Sequence, residues 1–362
     1  MITQPTLLLD KQICLANIER MAEKAHANNV ILRPHFKTHQ SAEISHWFRD
    51  FNVDCATVSS VKMAQYFAQN GWKDLTIAFP ANILQWREID QLAAGINLNI
   101  VVESTEVISF LEKQLTHPVG IYIKIDTGYN RTGMEAEDFE SIQQLLNLLA
   151  NCKKLIFIGF LNHAGHTYEA HSTEEIMSIK NQSIQKLLAL KTFLKAGFPL
   201  MQLSYGDTPS CSLSNNFTDL DEIRPGNFVF YDEMQTNLDT CSRNDIAVAL
   251  ICPIVATHPK RQEMVVHGGA IHLSKDRLTL PNGDSHYGVA VKFTDNHWQT
   301  NEVIGTVKSV SQEHGIIKLN DEYITTFHPG DLIGILPIHS CLTANLMKGY
   351  LTTEGEKIEM MV

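Results

Sequence analysis

Apolar runs alternate with amphipathic stretches over the first two thirds of the chain. Eight of these runs have the length and residue content of buried strands. Most are separated by stretches with the apolar spacing of a helix, the longest being 173–196. The strand candidates are 29–33, 53–58, 74–79, 97–102, 119–125, 155–161, 201–205 and 221–224. This alternation predicts a parallel sheet, and eight units over about 200 residues match a (β/α)8 barrel.

An open, doubly wound sheet is the alternative α/β architecture. It would be favoured by a glycine-rich dinucleotide-binding turn after the first strand. No such turn follows residues 29–33, and the pattern G-x-G-x-x-G occurs nowhere in the chain. We therefore expect the TIM-like barrel.

The hydrophobic pattern changes after about residue 235. Short segments rich in β-branched residues alternate with turn signals, such as those at 281–284 and 328–331. The segments are 246–256, 263–273, 287–293, 302–310, 315–319 and 331–336. This pattern of short segments and turns predicts a mostly antiparallel β domain. We expect a barrel domain over 1–235 and a β domain over 236–362, with which the first ~10 residues could pair.

Composition excludes several classes of partner. A net charge of −11 argues against nucleic acid and anionic membranes, which would require a basic surface. No window approaches 18 consecutive apolar residues, and the N-terminus lacks the basic start of a signal peptide. Seven scattered cysteines fit free thiols better than a disulfide framework. These features predict a cytoplasmic protein without membrane or nucleic-acid partners.

One lysine stands where a strand meets a loop. Lys37 follows the run 29–33, and Arg33, His35 and His39 surround it in the sequence. It is either a solvated surface amine or a Schiff-base lysine made nucleophilic by these cations and by partial burial. In a parallel barrel, reactive groups lie at the carboxyl ends of the strands, which is where Lys37 is expected.

Polar residues follow other predicted strands in the same way. Ser204, Gly206, Asp207 and Thr208 close the seventh strand, where barrel enzymes often bind phosphate, although a plain turn is the alternative. A phosphate site and a lysine facing one barrel mouth together suggest pyridoxal 5'-phosphate. Further cofactor-binding candidates, each of which could instead be structural, are Arg131, His163, His166 and Tyr168.

A metal-binding pair is the candidate chemistry of the second domain. His339 and Cys341 lie two residues apart, so in an extended segment they share a face. Imidazole and thiolate together suit Zn²⁺. Only two ligands are local, which favours an open catalytic site over a closed structural one. The alternative is a buried cysteine beside an incidental histidine.

Taken together, these stretches resemble the fold-type III pyridoxal-phosphate enzymes of the D-serine dehydratase and D-threonine aldolase family. The matching blocks are RPHFKTH at 33–39, IDTGYNRTG at 125–133, HAGHTY at 163–168, GDTPS at 206–210, EIRPGNFVFYD at 222–232, EHG at 313–315 and PIHSCLTANL at 337–346. The resemblance implies an alanine racemase-like barrel, a C-terminal β domain, a homodimer and Lys37 as the cofactor anchor. It also implies zinc on His339 and Cys341.

The function that the resemblance implies is a lyase acting on a D-amino acid with a β-hydroxyl. The His/Cys pair is similar to that of the dehydratases, which eliminate water to give a keto acid and ammonia. Aldolase-like cleavage, as in D-threonine aldolase, is an alternative. Amino-acid racemisation and a non-catalytic pyridoxal-phosphate carrier are the others. The carriers resemble the barrel alone, so the second domain argues against the last of these.

Overall fold

The computed structural model describes residues 2–279 and 283–362. The chain forms two compact units. One comprises Glu19–Lys37 and Ser45–Gly226, and the other comprises Met1–Ile18, Thr38–Ile44 and Asn227–Val362. Of the turn predicted at 281–284, Pro281 and Asn282 lie outside the described residues.

The first unit is a nearly closed barrel of eight parallel strands. In chain order the strands are Ile31–Leu32, Ala56–Val58, Asp74–Pro80, Asn97–Val102, Val119–Asp126, Leu155–Asn162, Gln202–Tyr205 and Glu222–Ile223. The first strand pairs with the eighth, and an isolated bridge between His35 and Thr57 links its continuation to the second strand. The predicted (β/α)8 TIM-like fold is confirmed.

Helices follow most of the barrel strands, and those longer than six residues lie where the apolar spacing predicts them. Side-chain oxygens cap several of their N-termini, as expected for Ser and Asp at that position. Ser60, which follows the second strand, caps one helix by accepting from the Met63 N–H, and Asp138 caps another. The helices in this part of the chain are Lys11–Ala27, Ala42–Trp47, Val61–Gln69, Trp86–Ala93, Thr105–Gln114, Phe139–Leu149, Thr173–Leu194 and Thr208–Leu213.

The second unit contains a closed antiparallel barrel of six strands. Val248–His258 pairs with both Glu263–His267 and Leu332–Pro337, which closes the ring. The remaining barrel strands are Gly288–Thr294, His297–Val310 and His314–Leu319. Thr6–Leu9, Gly349–Thr352 and Lys357–Glu359 extend the same sheet, Thr6–Leu9 pairing antiparallel with Val248–His258. The mostly antiparallel β domain is confirmed.

Short helices interrupt this β domain, although the hydrophobic pattern predicts none. They are Glu233–Asn237, Ala270–Leu273 and Ser340–Met347. The segment 263–273, predicted as one strand, is a strand to His267 and then a helical turn. Each helix is too short to display the repeated apolar spacing on which the prediction depends.

None of the seven cysteines, all of which lie within the described residues, forms a disulfide. Within residues 2–279 and 283–362, every helix is too short or too polar to cross a bilayer.

Candidate active site

Lys37 lies in the loop after the first barrel strand, as predicted. The residue before it, Phe36, is fully buried. Aromatic packing therefore holds this part of the loop in place. The rings around Phe36 are those of Phe48, Phe67 and Trp72, with centroids 5.2, 4.9 and 4.8 Å away.

Two of the three basic residues that flank Lys37 in the sequence, Arg33 and His39, are buried. Arg33 is buried and forms ion pairs with Glu222 and Asp74. Burial lowers the pKa of His39 to about 3, so this imidazole is neutral. Lys37 itself is exposed, which differs from the partial burial considered for the Schiff-base alternative.

His163 shows which groups share the barrel mouth with Lys37. Burial lowers the pKa of His163 well below its usual value, and the charges of Lys124, Lys37 and Arg131 lower it further. Its Nδ1–H donates to the carbonyl of Gly206 at 2.7 Å. The imidazole is therefore neutral with its proton on Nδ1. Cations from separate strand ends thus gather around one neutral histidine.

Lys124 is a candidate site residue that the sequence analysis missed. It lies on the strand Val119–Asp126 and is only 3% exposed. Burial lowers its pKa to about 7, and the charges of Arg224 and Arg131 act in the same direction. A charged residue within the apolar run VGIYIKI was the available signal, since lysine is almost never buried without a reason.

We expect Lys124→Met to stabilise the cofactor-free protein more at pH 6.5 than at pH 9.5. Between pH 7 and the ordinary lysine value of 10.5, the unfolded chain binds a proton that the folded chain does not, so wild-type stability rises with pH. The destabilisation caused by charging buried Lys124 is fully present below pH 7, where it amounts to a few kcal/mol, on the order of the shift in pKa. Urea unfolding at both pH values measures it. Lys62→Met, which removes an exposed lysine, is the matched control; an equal gain at both pH values would contradict the shifted pKa.

An aromatic group lies beside these cations. Tyr129 stacks on His166 at 6.1 Å between centroids and meets His163 edge-on at 6.0 Å. The guanidinium of Arg131 lies over the Tyr129 ring at 4.9 Å. A Cβ on Gly165 would come within 2.3 Å of this ring, so glycine is required there. Arg131 and His163 are therefore brought together, as predicted, and Tyr129 was missed.

The loop after the seventh strand is held by contacts of its own. Gly206 approaches the backbone of Arg224 so closely that an added Cβ would lie 3.0 Å from it. Asp207 caps the helix Thr208–Leu213 and also accepts from Thr167. The Thr208 N–H donates to the hydroxyl of Tyr168 at 3.3 Å, which places Tyr168 against this loop.

Ser204 belongs to a buried polar network inside the barrel. Its hydroxyl donates to the carboxylate of Glu222 and accepts from the guanidinium of Arg224. Arg224 also donates to the carbonyl of Asn162, and Glu222 pairs with Arg33. All of these side chains are buried, so the network fixes the relative positions of four strands below the mouth.

His339 and Cys341 lie in the second unit and contact each other. Burial lowers the pKa of His339, but hydrogen bonds with Asp276 and with the Cys341 side chain raise it to about 11. The Cys341 sulfur lies 3.3 Å from Thr38 Oγ1 and accepts from Asn227 Nδ2 at 3.6 Å. The pair therefore converges, with polar groups around the sulfur that would support a thiolate.

The local conformation of this pair differs from the prediction. The segment is not extended: His339 is the N-cap of the helix Ser340–Met347, and Cys341 is in its first turn. Asp232 holds this helix start by accepting from the Ser340 N–H at 2.9 Å. The strand Leu332–Pro337 ends just before, so the side chains meet across a helix start rather than on one face of a strand.

Another cluster of metal-ligand residue types occurs in this unit. His267, His272 and Glu313 bring three ligand atoms within 4.8 Å of one another. The Gly269 N–H donates to His272 Nδ1 at 3.2 Å, so the neutral ring carries its proton on Nε2. That nitrogen is the one facing Glu313, at 3.9 Å. His272 thus presents a donor where a metal would need a lone pair, which favours a hydrogen-bonded cluster over a metal site.

Comparison with known families divides the chain at the same place as the change in fold. Residues 9–233 match the family described as "Alanine racemase, N-terminal domain". Residues 247–353 match the family described as "Putative serine dehydratase domain".

Individual relatives cover nearly the whole chain. A D-serine dehydratase of Dictyostelium discoideum is 28% identical over 96% of this chain and 93% of its own length. A D-threo-3-hydroxyaspartate dehydratase of Delftia sp. (strain HT23) is 27% identical over 96% and 93%. A structure of a D-threo-3-hydroxyaspartate dehydratase mutant in the metal-free form superposes with a TM-score of 0.92 at 24% identity, covering 100% of this chain and 98% of that one.

Proposed function

Because the chain belongs to the family of the alanine racemase N-terminal domain, joined here to a serine dehydratase-type domain, we propose that it is a pyridoxal-phosphate-dependent lyase of D-amino acids. The substrate is a small D-amino acid with a β-hydroxyl. The reaction is elimination of water, and the final products are a keto acid and ammonia. We also propose that the protein is a homodimer, as the resemblance implies.

The observation that carries the proposal is the cationic barrel mouth. Lys37 follows the first strand, and its charge acts on His163 together with those of Lys124 and Arg131. Such a set suits an anionic, aldehyde-bearing cofactor, because a lysine amine condenses with the aldehyde and the other cations balance the phosphate and phenolate. Gly206 packs against the backbone of Arg224 and accepts from His163, which holds the loop after the seventh strand beside this histidine.

Each residue of the mouth has a defined task. Bound pyridoxal phosphate supplies the electron sink that stabilises negative charge at the substrate Cα. Lys37 would hold the cofactor through Nζ, and the same amine, once replaced by the substrate amine, would take the Cα proton as general base. His163 keeps its proton on Nδ1, bonded to Gly206, so it can orient a ligand without adding positive charge. Arg131 adds a fixed cation.

His339 and Cys341 would hold a divalent cation. Their contact and the hydrogen-bonding groups around the sulfur fit zinc, for which imidazole and thiolate are preferred ligands. A bound zinc ion supplies Lewis acidity that helps a hydroxyl leave. Only two protein ligands are provided by this pair, so coordination positions stay available for the substrate.

Product analysis with four D-amino acids tests the function. We expect D-serine to give pyruvate and ammonia, or D-threo-3-hydroxyaspartate to give oxaloacetate and ammonia. The D-amino acid that is converted best identifies the substrate side chain that the site accepts. Glycine as the main product from D-threonine would replace the dehydratase proposal with an aldolase. L-Alanine from D-alanine would replace it with a racemase. No conversion of any substrate by the cofactor-loaded protein would favour a carrier.

A further inference from the structure

The imidazole of His339 is held by a carboxylate from a distant part of the chain. His339 Nδ1 lies 3.0 Å from Asp276 Oδ2. Asp276 follows the helical turn Ala270–Leu273, and its side chain is 40% exposed. The Asp276 N–H donates to the hydroxyl of Ser274, which fixes the backbone at this point. The contact therefore joins two loops of the antiparallel unit.

This contact determines which nitrogen of His339 can bind a metal. An ionised carboxylate only accepts hydrogen bonds, so Nδ1 must carry the proton. Nε2 is then the nitrogen left for a metal, which displaces any proton held there. A histidine held in this way is a better ligand, because its ring orientation and its metal-facing nitrogen are set before the metal arrives.

Asp276 does not act as a third ligand. A group of three ligand atoms within 4.8 Å of one another is found in the described chain at His267, His272 and Glu313, and not at Asp276, His339 and Cys341. The Asp276 carboxylate contacts the His339 imidazole, whereas other groups contact the Cys341 sulfur. Cys341 has its own support from Asn227.

We propose that Asp276 is a positioning residue for the metal site, acting through His339. This inference rests on the proposed function, since it needs the His339 and Cys341 pair to bind a metal. Its action is to hold the proton on Nδ1 and present Nε2 to the cation. Neutral or shortened side chains at this position should weaken metal binding without changing the fold, because Asp276 is half-exposed.

Zinc affinity of the purified, metal-stripped protein is the main measurement. We expect Asp276→Ala to raise the dissociation constant for Zn²⁺ by about 10- to 100-fold, the range typical of lost outer partners. Asp276→Asn keeps an oxygen that can accept from Nδ1, so this variant should lose less zinc affinity. Asp295→Asn removes one acidic charge from a hairpin turn of the same unit and should leave affinity unchanged. Competition with a chromogenic chelator measures all four proteins.

NMR of the His339 ring in the zinc-loaded protein provides a readout independent of activity. The wild type should show a hydrogen-bonded proton on Nδ1 and none on Nε2, and Asp276→Ala should lose the hydrogen bond at Nδ1. Unchanged affinity and an unchanged Nδ1–H signal in Asp276→Ala would overturn the positioning role. His339→Ala separates the two proposals: if it also leaves zinc affinity unchanged, the metal site itself is wrong. If it abolishes binding while Asp276→Ala does not weaken it, only the positioning role fails.

Discussion

Lys37→Ala abolishes the cofactor's imine absorbance and reduces turnover by at least about 10³-fold. The variant loses both the covalent anchor and the general base, and a positioned base alone contributes about 10² to 10⁴. Phe36 remains packed in its aromatic surroundings, so the loop and the barrel should keep their structure. Visible absorbance spectra and the rate of keto acid formation measure the two losses.

Lys37→Arg sharpens this experiment. Arginine keeps the positive charge that acts on His163, but its guanidinium does not form the imine. We expect the arginine variant to be as inactive as the alanine variant. Lys62→Ala removes an exposed lysine after the second strand and should retain wild-type activity. Turnover of D-serine by Lys37→Ala at a rate near that of the wild type would refute the anchor assignment.

Cys341→Ala removes activity but leaves the imine absorbance in place. Lewis-acid assistance is worth several kcal/mol, which corresponds to about 10² to 10³ in rate. Loss of the thiolate leaves His339 as the remaining protein ligand of the pair. Metal analysis of the purified variant should show zinc well below one equivalent, while the cofactor content equals that of the wild type.

Chelation is the complementary test. Wild-type protein stripped of metal should lose activity and regain it when Zn²⁺ is added, whereas Cys341→Ala should not respond. Cys241→Ala is the matched control, because it removes a free, partly buried thiol from the same unit. Full activity of rigorously metal-free wild-type protein would exclude the catalytic metal.

Local hydrophobic pattern was sufficient for the barrel because its strands are buried on both faces. The run 119–125 is apolar except for Lys124 and is a strand over Val119–Asp126. The helix Ser340–Met347 was missed for a physical reason. It is only 8 residues long, its N-cap His339 makes no capping hydrogen bond, and it starts directly after a strand. Neither a start signal nor a long amphipathic pattern was present.

The residues of the candidate site were predictable only where they lie at the ends of barrel strands. Lys37 and His163 could be placed from the order of strands, because parallel strands bring their carboxyl ends to one mouth. Residues that are joined only by tertiary contacts could not be placed in this way. Asp276 lies 63 residues from His339 in sequence, and no local pattern connects them. The pairing of Arg33 with Glu222 is equally non-local.

The strand Thr6–Leu9 gives the chain a definite order of assembly. It lies between Val248–His258 and Gly349–Thr352, so the sheet of the second unit requires both the first and the last segments to be synthesised. The eight-stranded barrel draws all its strands from residues 31–223 and can complete them earlier on the ribosome. The N-terminal segment must therefore wait, while synthesis continues, for partners encoded more than two hundred residues later. Contacts of such long sequence separation form slowly, which makes this docking a natural late step in folding.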